Sequence, residues 1–324
     1  MKYTGKLSFC ILAFGMTNLY SPITTDWKED YTEYDRQIAR AENELYKEHF
    51  QKALSIYKGC FENYDFIHAN DAYTACQLAA YLKNRADFEK LVYRTFKQGV
   101  NYRLVRRNKN TGPFLSGKDS ANYLNLYASA RKEYYSRLDL PLRKEWAERF
   151  NCEQESKGKK LVFMQIRDDN FARLKELIKQ HRFPGERLIG IAYTLPGYKN
   201  ESNRYNDMCI NYSFVFPTLL HVQHAYSQLE NTLKAEVKNG NISPYDLTIV
   251  YGAEQARMGT WYPAGIGVDT VKLPLRLNNF VFRVFCKDTA RVNHDRRLMN
   301  MADYVDPNTW VEFTKKFHFD MYHY

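Results

Sequence analysis

From about Asp30 to Gly99, apolar and small residues recur at intervals of three and four. Ile38, Ala41 and Leu45 form one stripe; Phe50, Ala53, Leu54 and Tyr57 a second; Ala72, Ala75, Ala79 and Leu82 a third; Phe88, Leu91, Val92 and Thr95 a fourth. That period predicts four amphipathic helices, arranged as two pairs. Gly99 is the expected stop of the fourth, and Thr111-Gly112-Pro113 is a turn. Asp119 or Ser120 is placed to cap a further helix running to Leu138, and Pro141 opens another through Trp146 and Phe150. The polar run from Glu153 to Lys160 then reads as a linker between two domains.

Beyond it, Phe171, Leu174, Leu177 and Ile178 mark a helix within Val162 to Gln180, followed by a Phe183-Pro184-Gly185-Glu186 turn and a polar loop from Gly197 to Asn211. Pro217 sits in the first turn of a long helix lined by Leu220, Tyr226, Leu229, Leu233 and Val237, with Gly240 as its C-terminal cap. Ser243-Pro244 opens a helix through Met258. Gly259 to Lys272 reads as a loop and Phe280 to Phe285 as a short strand. Asn293 to Tyr304 and Pro307 to Phe317 close the chain as helices. The expected fold is mostly α: helical hairpins packed with a second, largely helical domain carrying at most a short strand pair. The boundaries fall at residues 1–20 for a signal segment, 21–152 for the hairpins and 161–324 for the second domain.

At 324 residues, with 44% hydrophobic and 26% charged residues, the chain can build large cores without disulfides or metals. No apolar run is long enough to cross a membrane. A short basic start (Lys2, Lys6) followed by the apolar stretch Leu7 to Met16 has the layout of a secretory signal, with Gly15 and Thr17 fitting a cut before Asn18. A periplasmic or secreted location is therefore expected. None of the six cysteines forms a C-x-x-C pair, so zinc-ribbon and thioredoxin-type sites are excluded. Cys60 and Cys76 fall on adjacent helices within reach of each other, though single buried thiols are the simpler expectation.

The net charge is +10, and Lys90 to Lys118 contains eight basic residues and no acidic one. Within it, Arg94, Lys97, Arg103, Arg106, Arg107 and Lys109, interleaved with Tyr93, Phe96 and Tyr102, form a candidate anion patch. No nucleic-acid-binding motif accompanies it, so nucleic acid is not the expected partner and a solvated connector is the plainer reading.

Two resemblances add to this. Ala41, Phe50, Ala53, Tyr57 and Cys60 fall at the small and aromatic positions of a tetratricopeptide repeat, which the first helix pair resembles. The second pair, with Ala79, Phe88 and Leu91, follows this pattern less closely: Phe50 to Phe88 is an offset of 38 (88 − 50), against the usual 34. Since such arrays need three or more units, the two pairs must pack against the helices that follow. Further on come Asp169-Asn170, Phe183-Pro184-Gly185, Gln223-His224-Ala225, Tyr251, Gln255, Met258-Gly259-Thr260 and Asp295-Arg296-Arg297-Leu298. In that order, across Val162 to Tyr304, they resemble an uncharacterised bacterial domain found C-terminal to helical repeats. The chain departs from it where an Asp-Arg is replaced around Ile249-Val250 or Tyr251-Gly252, and where Tyr-Gly-Thr-Gln becomes Met-Gly-Thr-Trp. The resemblance implies no activity.

Candidate chemistry centres on His221 and His224. Three residues apart on a helix, they share a face and could reach one metal, but no third ligand is evident and no metal site is assigned. The plainer reading is one packed and one surface histidine. Tyr251, Gln255 and Thr260 complete a candidate pocket with them if the neighbouring helices pack, and a neutral histidine beside amide and hydroxyl groups can act as a general base. No nucleophile elbow, P-loop, dinucleotide fingerprint or paired-carboxylate motif is present, and no cofactor is indicated. The expectation is a binding or scaffold role toward a protein or peptide partner, with a small molecule the second choice. The alternative is a hydrolase-type enzyme using His224 as general base or metal ligand.

Overall fold

A computed structural model describes residues 30–192, 213–257, 269–273, 281–285, 289–305 and 307–320. The expected signal segment, the loop from Gly197 to Asn211, and Cys10, Cys209 and Cys286 lie outside the described residues.

The periodic stripes form α1 (Thr32–Tyr46), α2 (Phe50–Glu62), α3 (Ala69–Tyr81) and α4 (Arg85–Lys97), with α1 packed on α2 and α3 on α4. Asn84 starts α4 by accepting the Asp87 N–H at 3.1 Å. Gly99, at φ +96°, ends it in a conformation few residues other than glycine tolerate. Ala41, Ala53, Ala72, Ala75 and Ala79 are fully buried, which lets the helices approach closely. Tyr34, Tyr57, Phe88 and Phe96 fill the gaps between them. The basic connector contains one more helix than expected, α5 (Tyr102–Arg107), because Tyr102, Leu104 and Val105 turn inward between the arginines. After it, α6 (Ser120–Ser136) packs on α4.

Next, α7 (Leu140–Ser156) begins at Pro141 with Asp139 accepting the Leu142 N–H at 3.0 Å, and pairs with α8 (Lys160–Lys179). The polar run read as a linker is thus largely helical: α7 extends through Ser156, only Lys157 to Lys159 separate it from α8, and Glu153 is fully buried. The short α9 (Glu186–Ile189) follows the Phe183-Pro184-Gly185 turn. The long helix expected after Pro217 is two helices, α10 (Phe216–His221) and α11 (Ala225–Lys238), and α12 (Pro244–Arg257) packs on both. Two strands, β1 (Asp269–Leu273) and β2 (Val281–Phe285), pair antiparallel with Asp269 opposite Phe285 and Leu273 opposite Val281. The first takes up the end of the segment expected to be loop. Finally, α13 (Thr289–Leu298) and α14 (Pro307–Phe317) close the described chain. The fold is mostly α.

Two apolar cores result. One is built by α1 to α6 and the other by α7 to α12, around Trp146, Leu174, Leu177, Phe214 and Leu233. The chain end returns to the first core: Phe313, Phe317 and Phe319 pack there, with Phe317 against Phe50 at 4.9 Å and Tyr81 at 5.6 Å between ring centroids. Each buried ring contributes roughly 1.5–3 kcal/mol of transfer free energy. Cys60 and Cys76 are both buried free thiols and Cys152 is an exposed one, so the first two act as small apolar residues.

Candidate functional site

The break between α10 and α11 separates the two histidines. His221 ends α10, Val222 is extended, and His224 adopts a left-handed conformation (φ 61°) immediately before α11. They do not share a helical face. Glu254 of α12 explains the break: its carboxylate accepts the Ser227 N–H at 3.2 Å and so caps α11 from outside. His224 is exposed on the surface. Tyr251 stacks its ring edge against Tyr226 at 4.8 Å. Gln255 contributes its backbone to α12, while Thr260 lies outside the described residues. Among the described residues, no three His, Cys, Asp or Glu groups converge as a metal site.

His221 instead meets a carboxylate. Its Nδ1 lies 2.5 Å from Glu153 Oε1, while Asn170 Nδ2 (2.8 Å) and Thr218 Oγ1 (2.9 Å) donate to the other oxygen. Burial would raise the Glu153 carboxyl, but these donors outweigh it and hold the group below the usual carboxylate range. An ionised carboxylate only accepts, so His221 Nδ1 is the donor in this pair. The His221 side chain is 23% exposed and lies edge-on to Phe163 at 5.3 Å. One buried glutamate thereby ties α7 to α8 and α10.

The basic patch is less uniform in space than in sequence. Lys97 pairs with Glu133 at 2.9 Å, and the Arg94 guanidinium donates to the Phe61 carbonyl. Arg103, Arg106, Arg107 and Lys109 are exposed along α5 and the turn after it.

The surface that the first helices of the hairpins offer is covered at one end by the protein's own chain. Asp320 accepts from Tyr73 Oη (3.0 Å) and Asn108 Nδ2 (2.9 Å), and Gln77 bonds its backbone N–H (2.6 Å) and carbonyl (3.1 Å). Asn110 donates to the Phe317 carbonyl at 2.8 Å. This occupancy counts against an open peptide groove along that part of the hairpins.

The densest buried chemistry lies where the two cores meet. Glu186 of α9 accepts the Ala69 N–H at the start of α3 (2.7 Å) and approaches His68 Nδ1 at 3.2 Å. Burial alone would lower the His68 pKa, but the bond to Glu186 outweighs it and lifts the ring to about 9. Tyr34 Oη donates to Asp71 Oδ2 at 2.7 Å, and burial pushes Asp71 up to about 6. A small recess lies beside His68, Glu186 and Asp246, the last pushed by burial up to about 7. A second, small recess is lined by Asp35 and Glu42 of α1, Asp71, Tyr245 and Arg296; Ser243 borders both.

Among the described residues, two buried polar atoms of residues that line this recess have no hydrogen-bond partner: Asp35 Oδ2 (residue 5% exposed) and Arg296 Nη1 (6%). Burial drives the Asp35 carboxyl well above its ordinary range and Glu42 up to about 8. Arg296 is otherwise held by its Nε bond to the Ala302 carbonyl at 2.6 Å. None of the acids in this region was singled out from the sequence, yet Asp35 and Glu42 flank Ile38 on the buried stripe of α1. An acid at such a position is the signal that was available.

The chain matches no known family model, no characterised protein and no solved structure. No described helix is long and apolar enough to cross a membrane.

Proposed function

We propose that this is an exported, tetratricopeptide-like helical binding protein, periplasmic or secreted, that holds a small polar ligand in the recess between α1, α12 and α13. One observation carries the reading: a buried carboxyl oxygen of Asp35 and a buried guanidinium nitrogen of Arg296, both without partners among the described residues, belong to residues lining one recess. Leaving such groups unmade costs about 1–3 kcal/mol each, more when charged. A ligand that satisfies both recovers that cost, and junctions between packed units are where small-molecule sites concentrate. A peptide or protein partner is less favoured, because the hairpin surface is partly covered by the chain end.

The test is a thermal-shift screen of the intact protein with small amines, carboxylates and zwitterions, repeated on Ala39→Phe, which fills the recess wall. A ligand at about 100 times its Kd adds roughly 2.7 kcal/mol to stability. A shift seen with the native protein and lost in Ala39→Phe is the expected result; a shift equal in both removes the recess as the site.

A second reading rests on the 2.5 Å pair of Glu153 and His221. A histidine oriented by a buried carboxylate is a general base in form, and His221 rather than His224 would fill the role in a hydrolase. A panel of ester, amide and phosphoester substrates tests it. Turnover abolished by His221→Gln and reduced by Glu153→Gln supports it, and turnover indifferent to both ends it.

A further inference from the structure

Large apolar side chains exposed one at a time are ordinary; several together are not. Among the described residues Leu124, Leu140 and Leu298 are exposed singly along the chain, whereas Leu161, Val162 and Met164 are exposed together in the first turns of α8, Leu161 at 81%. Lys157, Gly158 and Lys159 form the turn that joins α7 to α8, and all three are exposed, as is Lys160. Between Glu155 and Asp168 the chain has four basic residues and no acidic one. The tip of this hairpin is ordered. The Lys159 N–H donates to the Ser156 carbonyl at 2.7 Å and the Phe163 N–H to the Lys159 carbonyl at 2.9 Å, while the Phe163 ring lies edge-on to His221. Lys160 and Leu161 both neighbour Met164 on the helix surface, four and three residues before it. Positive charge at this end of a helix opposes the helix dipole, and α8 has no acid in its first turn. Helix stability therefore does not account for the lysines.

Exposed apolar side chains beside clustered lysines match the chemistry of an anionic lipid surface. The apolar groups enter the acyl boundary, while the ammonium groups, on long stems, stay level with the phosphates. A protein partner fits less well. Protein interfaces favour aromatic side chains and Arg over Lys, and bury about 1,200–2,000 Å² in all, more than three apolar side chains beside one turn offer. We propose that the α7–α8 tip is a peripheral membrane anchor: Leu161, Val162 and Met164 enter an anionic phospholipid bilayer, and Lys157, Lys159 and Lys160 meet its headgroups. This stands independently of any ligand in the recess.

The experiment is co-sedimentation of the intact protein with phosphatidylcholine vesicles, with and without phosphatidylglycerol, at low and high salt. Binding is expected only with phosphatidylglycerol and is expected to weaken in salt. A lysine near an anionic surface contributes about fivefold to partitioning, so Lys157→Gln, Lys159→Gln and Lys160→Gln combined are expected to weaken binding about 100-fold at low salt. Leu161→Ser, Val162→Ser and Met164→Ser combined are expected to weaken it at least about 10-fold, while Leu298→Ser, at an exposed leucine elsewhere, leaves it unchanged. Circular dichroism checks the fold of each variant. Leu161→Trp reads the tip itself: lipids brominated on their acyl chains are expected to quench its fluorescence beyond any quenching of the native protein. Absence of that excess quenching overturns insertion of the tip. Equal binding to both kinds of vesicle overturns the role of the lysines, and binding unchanged in both combined variants overturns the tip as the anchor. Absence of sedimentation with either kind of vesicle overturns the proposal. A dimer seen by light scattering and split by Leu161→Ser, with no vesicle binding, assigns the face to a second copy of the chain instead.

Discussion

Two buried carboxyl sites in this molecule have opposite fates. Glu153 is fully enclosed, yet His221, Asn170 and Thr218 all donate to it, and it stays ionised below the usual carboxylate range. Asp35 and Glu42 are enclosed on α1 with burial as the dominant influence, and both are raised; one Asp35 oxygen has no partner. Burial is common to Glu153 and Asp35, and the donors around Glu153 separate them. Three donors fasten Glu153 to the neighbouring helices, whereas among the described residues nothing donates to Asp35 Oδ2.

The sharpest way to break this comparison is to remove each carboxylate in turn. Glu153→Ala strands the His221 ring and two further donors, and is expected to cost about 3–5 kcal/mol, readable by calorimetry as a large fall in Tm. A loss below about 1 kcal/mol would mean that the site is not a fastening. Next in size is a steric test of the junction. Gly240 sits at φ +71°, and an added Cβ would lie 2.7 Å from the Tyr31 ring. Gly240→Ala is therefore expected to cost about 2–4 kcal/mol by denaturant titration, while Gly59→Ala, with open space around it, has no such penalty.

A smaller effect separates the two sites by pH. Glu42, Asp71 and Asp246 are raised to about 8, 6 and 7, and His68 to about 9. In each case the folded state holds protons that the unfolded chain releases, from about pH 4 for the acids and about pH 6.5 for the histidine. Stability is thus greatest at low pH within this set and falls as pH rises from about 4 to about 9. Glu42→Gln is expected to flatten part of that fall and to raise stability near pH 8 by about 1–2 kcal/mol. A Tm profile for Glu42→Gln that parallels the native one would show Glu42 to be ionised in the fold. The smallest expected effect is at the surface, where Lys97→Ala breaks the pair with Glu133 at a cost of less than about 1 kcal/mol, diminishing in salt.

The hairpins were legible because their stripes repeat at helical spacing over four successive elements, and Gly99, Asp139 and Pro141 punctuate them locally. What escaped was whatever depends on distant partners. Glu153 opens the run Glu-Gln-Glu-Ser-Lys-Gly-Lys-Lys, which has the composition of a solvated linker; its burial is imposed by Asn170, Thr218 and His221 from later helices. Val222 and Gln223 preserve a continuous helical pattern, and the break there is held by Glu254, 27 residues beyond Ser227. In α5 the arginines masked three inward apolar residues. Asp35 and Glu42 were visible all along as acids on an apolar stripe, and α13 supplies Arg296, which interacts with Glu42.

The return of the chain end to the hairpins has a consequence for how the protein comes into being. Asp320 bonds Tyr73 across 247 residues of sequence. A chain emerging from the ribosome in order therefore presents its first hairpins long before Phe313, Phe317 and Phe319 exist to cover Phe50 and Tyr81. Closure at such sequence separation is slow, and until it occurs the nascent chain exposes aromatic surface of the kind chaperones recognise. A chain cut before Phe313 would carry that surface permanently.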